Sequence, residues 1–249
     1  MKRPVRILLI LLGALVLVIL VLVANVSRSR STVRGLEVVI RRGGEPALVS
    51  EQTVRDSVVA ALPGLLQNPV GAVDRHAVAE AAAHVPYLKD VSASTSVSGR
   101  VVVRATQRRP IARLYYGGRD YYFDSEGAVM PAVLDSGLNL LVAGADYAGP
   151  LKADSLSAAL VDLWQVASFL DRQHRYGDLI DQVYIESDGD LMMVPKLGNH
   201  VVELGPVDNL ESKFEALLAF YRRGMPRAGW DTYQRISLKY AGQVVCTKR

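Results

Sequence analysis

The sequence predicts an α+β protein with three parts: a single N-terminal transmembrane helix, a small strand-helix-helix-strand-strand domain, and a mostly antiparallel β domain carrying two helices. Three observations predict it. Ile7 to Ala24 is an unbroken run of eighteen apolar residues. From Val33 to Gln107, short alternating runs flank two stretches whose apolar residues recur at helical spacing. Beyond Arg108, further alternating runs separated by glycine turns enclose two more amphipathic stretches.

The apolar run comes first. At about 1.5 Å of rise per residue it is about 27 Å long, close to the roughly 30 Å hydrocarbon core of a bilayer. Lys2, Arg3 and Arg6 precede it, and no acidic residue occurs before Glu37. A cleaved signal peptide has a shorter apolar region, about 7–15 residues, and a small-x-small cleavage site. Here Leu22-Val23-Ala24 offers only a poor one, so an uncleaved anchor is expected. Arg28, Arg30 and Arg34 balance the three basic residues on the other side, which leaves orientation undecided by charge.

In the first domain, Leu36 to Ile40 reads as a strand closed by the turn Arg42-Gly43-Gly44-Glu45-Pro46. Ser50 is a candidate N-cap, and Val54, Val58, Ala61, Leu62 and Leu65 share one helical face. Asp74 caps a second helix with Val78, Ala81, Ala82 and Val85 in its stripe, stopped by Pro86. Val91 to Val97 and Val101 to Ala105 alternate around Ser98-Gly99, a β-hairpin.

In the second domain, Leu114 to Phe123 reads as a strand pair around Gly117-Gly118. Leu156, Leu160, Leu163, Ala167 and Leu170 mark a long helix after Asp154. Val183 to Ile185 and Asp190 to Pro195 flank the turn Ser187-Asp188-Gly189, and Val201 to Leu204 is a further strand. Asp208 and Glu211 have capping-box spacing ahead of a helix with Leu210, Phe214, Leu217, Leu218 and Tyr221 on one face. Ile236 to Tyr240, a turn at Ala241-Gly242, and Val244 to Thr247 form the final hairpin.

The chemistry expected of an enzyme is missing. The four histidines, His76, His84, His174 and His200, have no metal-ligand spacing and read as surface residues. There is no nucleophile elbow and no glycine-rich phosphate loop. Glu186, Asp188 and Asp190 begin like a calcium loop without completing one, and a hairpin turn favours the same residues. Asp171, Asp178 and Asp181 read as a solvated face. Cys246, the single cysteine, reads as a small buried thiol. Arg108, Arg109 and Arg113 are too few to signal nucleic acid. The chain carries 29 Lys and Arg against 25 Asp and Glu, a net charge of +4. Residues 1–34 hold six of the basic residues and no acidic one, leaving 23 against 25, or −2, for the remainder. The basic excess therefore flanks the apolar run, where anionic headgroups attract it. No catalytic residue, cofactor, metal or nucleic-acid partner is expected.

Four segments carry a resemblance. They are Val85-Pro86-Tyr87-Leu88-Lys89-Asp90-Val91, Gln107-Arg108-Arg109-Pro110-Ile111-Ala112, Tyr122-Phe123-Asp124-Ser125-Glu126-Gly127, and Ile236-Ser237-Leu238-Lys239-Tyr240 with its following turn. With the anchor and the order of elements, they resemble the bacterial cell-division family FtsQ, called DivIB in Gram-positive bacteria. Gln107 stands where the family usually has Glu, Leu88 where Val is common, and the tail before the anchor is very short. The ending, Tyr240 to Arg249, is most similar to versions from Bacteroidetes.

The resemblance implies a cytoplasmic tail and anchor over 1–27, a polypeptide-transport-associated (POTRA) domain over 28–110, and a β domain over 111–249. It implies a non-enzymatic divisome scaffold of the inner membrane, single-pass, with its bulk in the periplasm and concentrated at the septum. Its partners would resemble FtsB and FtsL, captured by strand addition at the C-terminal edge of the β domain. Lys239 and Tyr240 match a family Arg-Tyr pair in that contact, and Val244 and Val245 lie in the strand that would pair. Tyr240 could equally be core packing. A docking or chaperone module in protein transport, or an anchored periplasmic enzyme lacking a visible catalytic set, are the alternatives.

Overall fold

The structure, a computed structural model, describes residues 11–20, 31–133, 137–145 and 157–249. Residues 11–20 are helical, and eight large apolar side chains among them, including Leu11, Leu17 and Leu20, are exposed. The remainder of the Ile7–Ala24 run lies outside the described residues, as do Asp154 and Leu156. Among the described residues no helix is long and apolar enough to cross a membrane. The chain divides into two units, residues 1–107 and 108–249.

In the first unit the elements run β1 (Leu36–Arg41), α1 (Glu51–Ala61), α2 (Arg75–Ala83), β2 (Leu88–Thr95) and β3 (Val101–Gln107). The sheet order is β1-β3-β2, with β1 parallel and β2 antiparallel to β3. Both helix starts are fixed by side chains that accept otherwise orphaned backbone N–H groups. Ser50 Oγ accepts from Thr53 N at 3.0 Å, and Asp74 Oδ1 from His76 N at 2.9 Å. Val54 and Val58 of α1 and Val78 and Ala82 of α2 are wholly buried, in one cluster with Val38, Val101 and Val103 of the sheet. At the end of β3, Gln107 accepts from Leu48 N at 2.9 Å and donates to Pro46 O at 2.9 Å. The amide thereby ties down the loop between β1 and α1, which a glutamate could do only in its accepting half.

The second unit holds β4 (Pro110–Tyr116), β5 (Arg119–Asp124), β6 (Val129–Pro131), β7 (Leu141–Ala145), α3 (Ala158–Arg172), β8 (Ile180–Ile185), β9 (Leu191–Pro195), β10 (Val201–Glu203), α4 (Leu210–Arg223), β11 (Tyr233–Ser237) and β12 (Val245–Lys248). Single-turn helices at His174–Gly177 and Met225–Ala228 follow α3 and α4. These strands make one nine-stranded sheet, ordered β12-β11-β10-β9-β8-β7-β4-β5-β6.

Five of its joints are antiparallel and three parallel. Two parallel joints, β7–β8 and β10–β11, arise because α3 and α4 each serve as the crossover of a β-α-β unit. Leu114, Ala143, Val183, Met193, Val202, Ile236 and Cys246 are paired in register, one row across seven strands. The first six are buried, and they pack with Leu160, Leu163 and Leu170 of α3 and Phe214, Leu217 and Tyr221 of α4.

Two of the segments singled out in the sequence interlock. Arg108 Nη1 lies 2.7 Å from Asp124 Oδ2, and that carboxylate is 1% exposed. Asp124 Oδ1 also accepts from Glu126 N at 2.8 Å and Ala128 N at 2.7 Å, which shapes the turn. Gly127 takes φ +86° there, and a Cβ would stand 3.4 Å from the Trp164 ring. Trp164 in turn donates to Asp124 O at 3.1 Å, fastening α3 over the turn.

Several expectations need correction. His200 is buried, 4% exposed, because its ring packs edge-on against Tyr221 instead of facing solvent. Asp171 is not simply solvated, since both its oxygens take Arg109. With Arg108 on Asp124 and Arg113 on Asp120, every guanidinium of the basic cluster holds a carboxylate. The capping box does not form: Asn209 occupies the cap with φ +48° and no side-chain bond, while Asp208 lies 2.9 Å from Lys213 Nζ. The penultimate strand ends at Ser237, so Leu238 to Tyr240 belong to the connecting loop.

Candidate functional site at the β12 edge

An end strand is paired on one side only, and its other side presents main-chain donors and acceptors. The nine-stranded sheet has two such ends. At one, β6 is three residues long and closes on Pro131, which has no N–H to give. At the other, β12 is paired, among the described residues, with β11 alone, through Ser237↔Val245, Ile236↔Cys246, Arg235↔Thr247 and Tyr233↔Lys248.

Two backbone bonds determine which peptide groups of β12 are free. Leu238 N donates to Glu203 O at 2.8 Å, so even-numbered residues of β11 face β10, and Ser237 and Arg235 face β12. Arg249 N donates to Thr232 O at 3.2 Å, so odd-numbered residues of β12 face β11. Because peptide groups alternate along a strand, those of Cys246 and Lys248 point away from the sheet. Side chains alternate as well. Cys246 lies at the end of the buried row and is half-buried beside Val244, while Val245 is 44% exposed. Burial pushes the Cys246 thiol pKa up, which keeps it protonated and poorly nucleophilic.

The loop before β12 separates the four residues that the sequence grouped together. Tyr240 is 60% exposed, so it is not core packing. It opens a turn closed by Gln243 N to Tyr240 O at 3.1 Å, with Gly242 at φ +70° where a side chain would be strained. Lys239 turns the other way. Its Nζ lies 2.7 Å from Asp190 Oδ2 and 3.0 Å from Glu203 Oε1, and Glu203 is buried. The bonds to these two carboxylates push the lysine pKa up, and the lysine holds the Asp190 carboxyl below its usual range. Val244 stands one residue ahead of β12, and Val245 begins it. Tyr240 and Val245 are thus presented outward, while Lys239 holds the loop to β9 and β10.

Four further residues shape this edge. Asp190 and Glu203 sit far from Lys239 in sequence, and only the register Glu203↔Met192 and Glu203↔Ser237 brings them near it. Gly205, at φ +70°, passes so close that a Cβ would stand 2.4 Å from Lys239 Cγ and 3.1 Å from its Cα. Gly205→Ala should therefore lower stability by about 1–2 kcal/mol and displace the loop. Thermal unfolding and faster amide exchange over residues 238–243 would show it, and an unchanged loop would remove Gly205 from the site. Below the loop, Lys213 Nζ donates to Leu204 O at 3.1 Å and Pro206 O at 2.6 Å from a nearly buried position. Lys213→Met should cost about 1–3 kcal/mol in thermal unfolding, because both carbonyls lose their donor. An unchanged melting temperature would show that water serves them equally well.

Among the described residues, no group of His, Cys, Asp or Glu is placed to hold a metal ion. Asp188 instead accepts from Asp190 N at 3.0 Å within the β8–β9 hairpin turn. A family model described as FtsQ/DivIB, C-terminal related, matches residues 109–247, more than half of the chain. The chain belongs to the FtsQ/DivIB family. Its matched stretch takes in every strand from β4 to β11 and all of β12 but Lys248. It is also 27% identical over 180 residues to the Cell division protein FtsQ of Salinibacter ruber, which covers 69% of each chain.

Proposed function

We propose that the protein is a non-enzymatic scaffold of cell division, held in the inner membrane by its N-terminal helix, that captures partner proteins by strand addition to β12. The observation that carries this reading is the outward direction of the Cys246 and Lys248 peptide groups at the β12 end of the sheet. A partner segment laid antiparallel or parallel to β12 would satisfy both, with affinity from main-chain bonds and register from alternate side chains. Tyr240 and Val245, exposed beside that edge, supply the apolar contact, and Lys239 sets the loop that presents Tyr240. The partners are divisome proteins of the FtsB and FtsL kind, and the first unit is a POTRA domain offering separate contacts. The exposed leucines and valines of residues 11–20 support the anchor, since such a helix needs an apolar solvent.

Family membership supports the division role, and the experiment is localisation. A tagged full-length chain is expected to gather at midcell as cells divide. Uniform envelope labelling through the whole cell cycle would overturn the reading.

A further inference from the structure

His200 has no part in strand capture as described, yet its surroundings bear on the end of β12. The ring is 4% exposed. Its Nε2 lies 2.7 Å from the Tyr221 hydroxyl, and its Nδ1 is buried with no hydrogen-bond partner among the described residues. Gly198 makes room for it: a Cβ there would stand 2.7 Å from Nδ1 and 3.2 Å from the Trp230 ring. Trp230 packs edge-on to Tyr221 with centroids 5.4 Å apart, just ahead of β11. Arg249, following β12, donates its guanidinium to Asn199 O beside the histidine and its backbone N to Thr232 O. Next to that bond, the β11–β12 register slips between Tyr233 and Arg235.

We propose that His200 is a proton-sensitive latch on the end of β12: neutral, it lets Arg249 close the strand onto β11, and protonated, it releases that end. Protonation makes both ring nitrogens donors, and Nδ1 faces no acceptor. It also sets a second cation beside Arg249. Tyr221 of α4 offers a hydroxyl and no charge, and Trp230 and Gly198 offer none. Among the described residues, Arg249 is the charged group that acts on the ring. Burial, with Arg249 adding to it, holds the imidazole below its ordinary value of 6.5.

The sign follows from linkage. Above about pH 6.5 the histidine is neutral whether the strand end is closed or released, and nothing is lost. Below it, the released state takes a proton that the closed state refuses, so closure weakens by at most about tenfold per pH unit. Regulation of partner capture by this latch rests on the strand-addition reading above.

Amide exchange of the full chain in detergent micelles, corrected for intrinsic rates, tests it at pH 7.5 and 5.5. The Thr247 and Arg249 amides are expected to lose up to about tenfold protection at pH 5.5, with β4 and β8 unchanged. His200→Gln, which keeps a polar group for Tyr221 and cannot take the proton, should abolish the pH dependence. Arg249→Gln should move its midpoint to higher pH, and decides the matter if His200→Gln does not fold. Equal protection at both pH values in the unaltered chain, or a pH dependence that survives in His200→Gln, would overturn the latch. Co-purification of partners at the two pH values separates the two readings. An end that opens in acid while capture is unchanged would overturn strand addition and leave the latch standing.

Discussion

Lys248→Pro is expected to weaken partner capture at least tenfold while leaving the melting temperature within a degree or two of the unaltered chain. The reason is directional. The Lys248 N–H points away from β11, so a proline there removes a donor that only an incoming strand would use. Its ring also occupies the space that the strand needs, and the preceding Thr247 stays extended, as a residue before proline prefers. A main-chain hydrogen bond lost in this way costs about 1–3 kcal/mol of binding. Val245→Pro is the contrasting variant. Its N–H faces Ser237, so proline there breaks the sheet's own ladder and should lower stability as well. Lys248→Ala keeps the N–H and should bind normally. Affinity and thermal unfolding on the three variants check the pattern. Equal binding by Lys248→Pro would send the contact to another surface.

Asp124→Ala is expected to have the largest effect on stability. It leaves the Arg108 guanidinium without its 2.7 Å partner and strips two turn N–H groups of their acceptor. Removing one side of a buried ion pair costs about 3–5 kcal/mol, and a domain of this size then melts roughly 10 °C lower. Asp124→Asn retains an acceptor for the turn and loses the charge, so its loss should be smaller. Calorimetry of the full chain would read both. A melting temperature within 2 °C of the unaltered protein for Asp124→Ala would show that the Arg108–Asp124 bond and its turn are incidental.

Where the fold depends on local chemistry, the sequence reveals it. Ser50 and Asp74 cap their helices because the donors they satisfy lie two or three residues on. Val54 and Val58 are buried because helical spacing puts them on one face. The parallel joints were hidden, because nothing in the Leu160–Leu170 stripe says that α3 crosses between neighbouring strands. The burial of His200 is hidden for a related reason. Its burial depends on Tyr221, twenty-one residues away, and on Gly198 lacking a side chain.

The site was half legible. Periodicity gives the final hairpin and therefore an edge, and Gly242 gives its turn. The end of β11 at Ser237 is hidden in the sequence because Leu238, which is buried, continues the apolar alternation although its N–H bonds to Glu203 in β10. Lys239 read as a contact residue because Asp190 and Glu203 approach it only through strand order. Which β12 amides are free is a matter of register, and residue types do not encode it.

The central claim is that a partner strand lies along β12, and amide exchange of the complex purified from membranes tests it most directly. Cys246 and Lys248 N–H groups should gain protection when partner is bound, while Val245 and Thr247, already bonded to β11, change little. An unaltered Cys246 and Lys248 beside new protection elsewhere in the chain would contradict it.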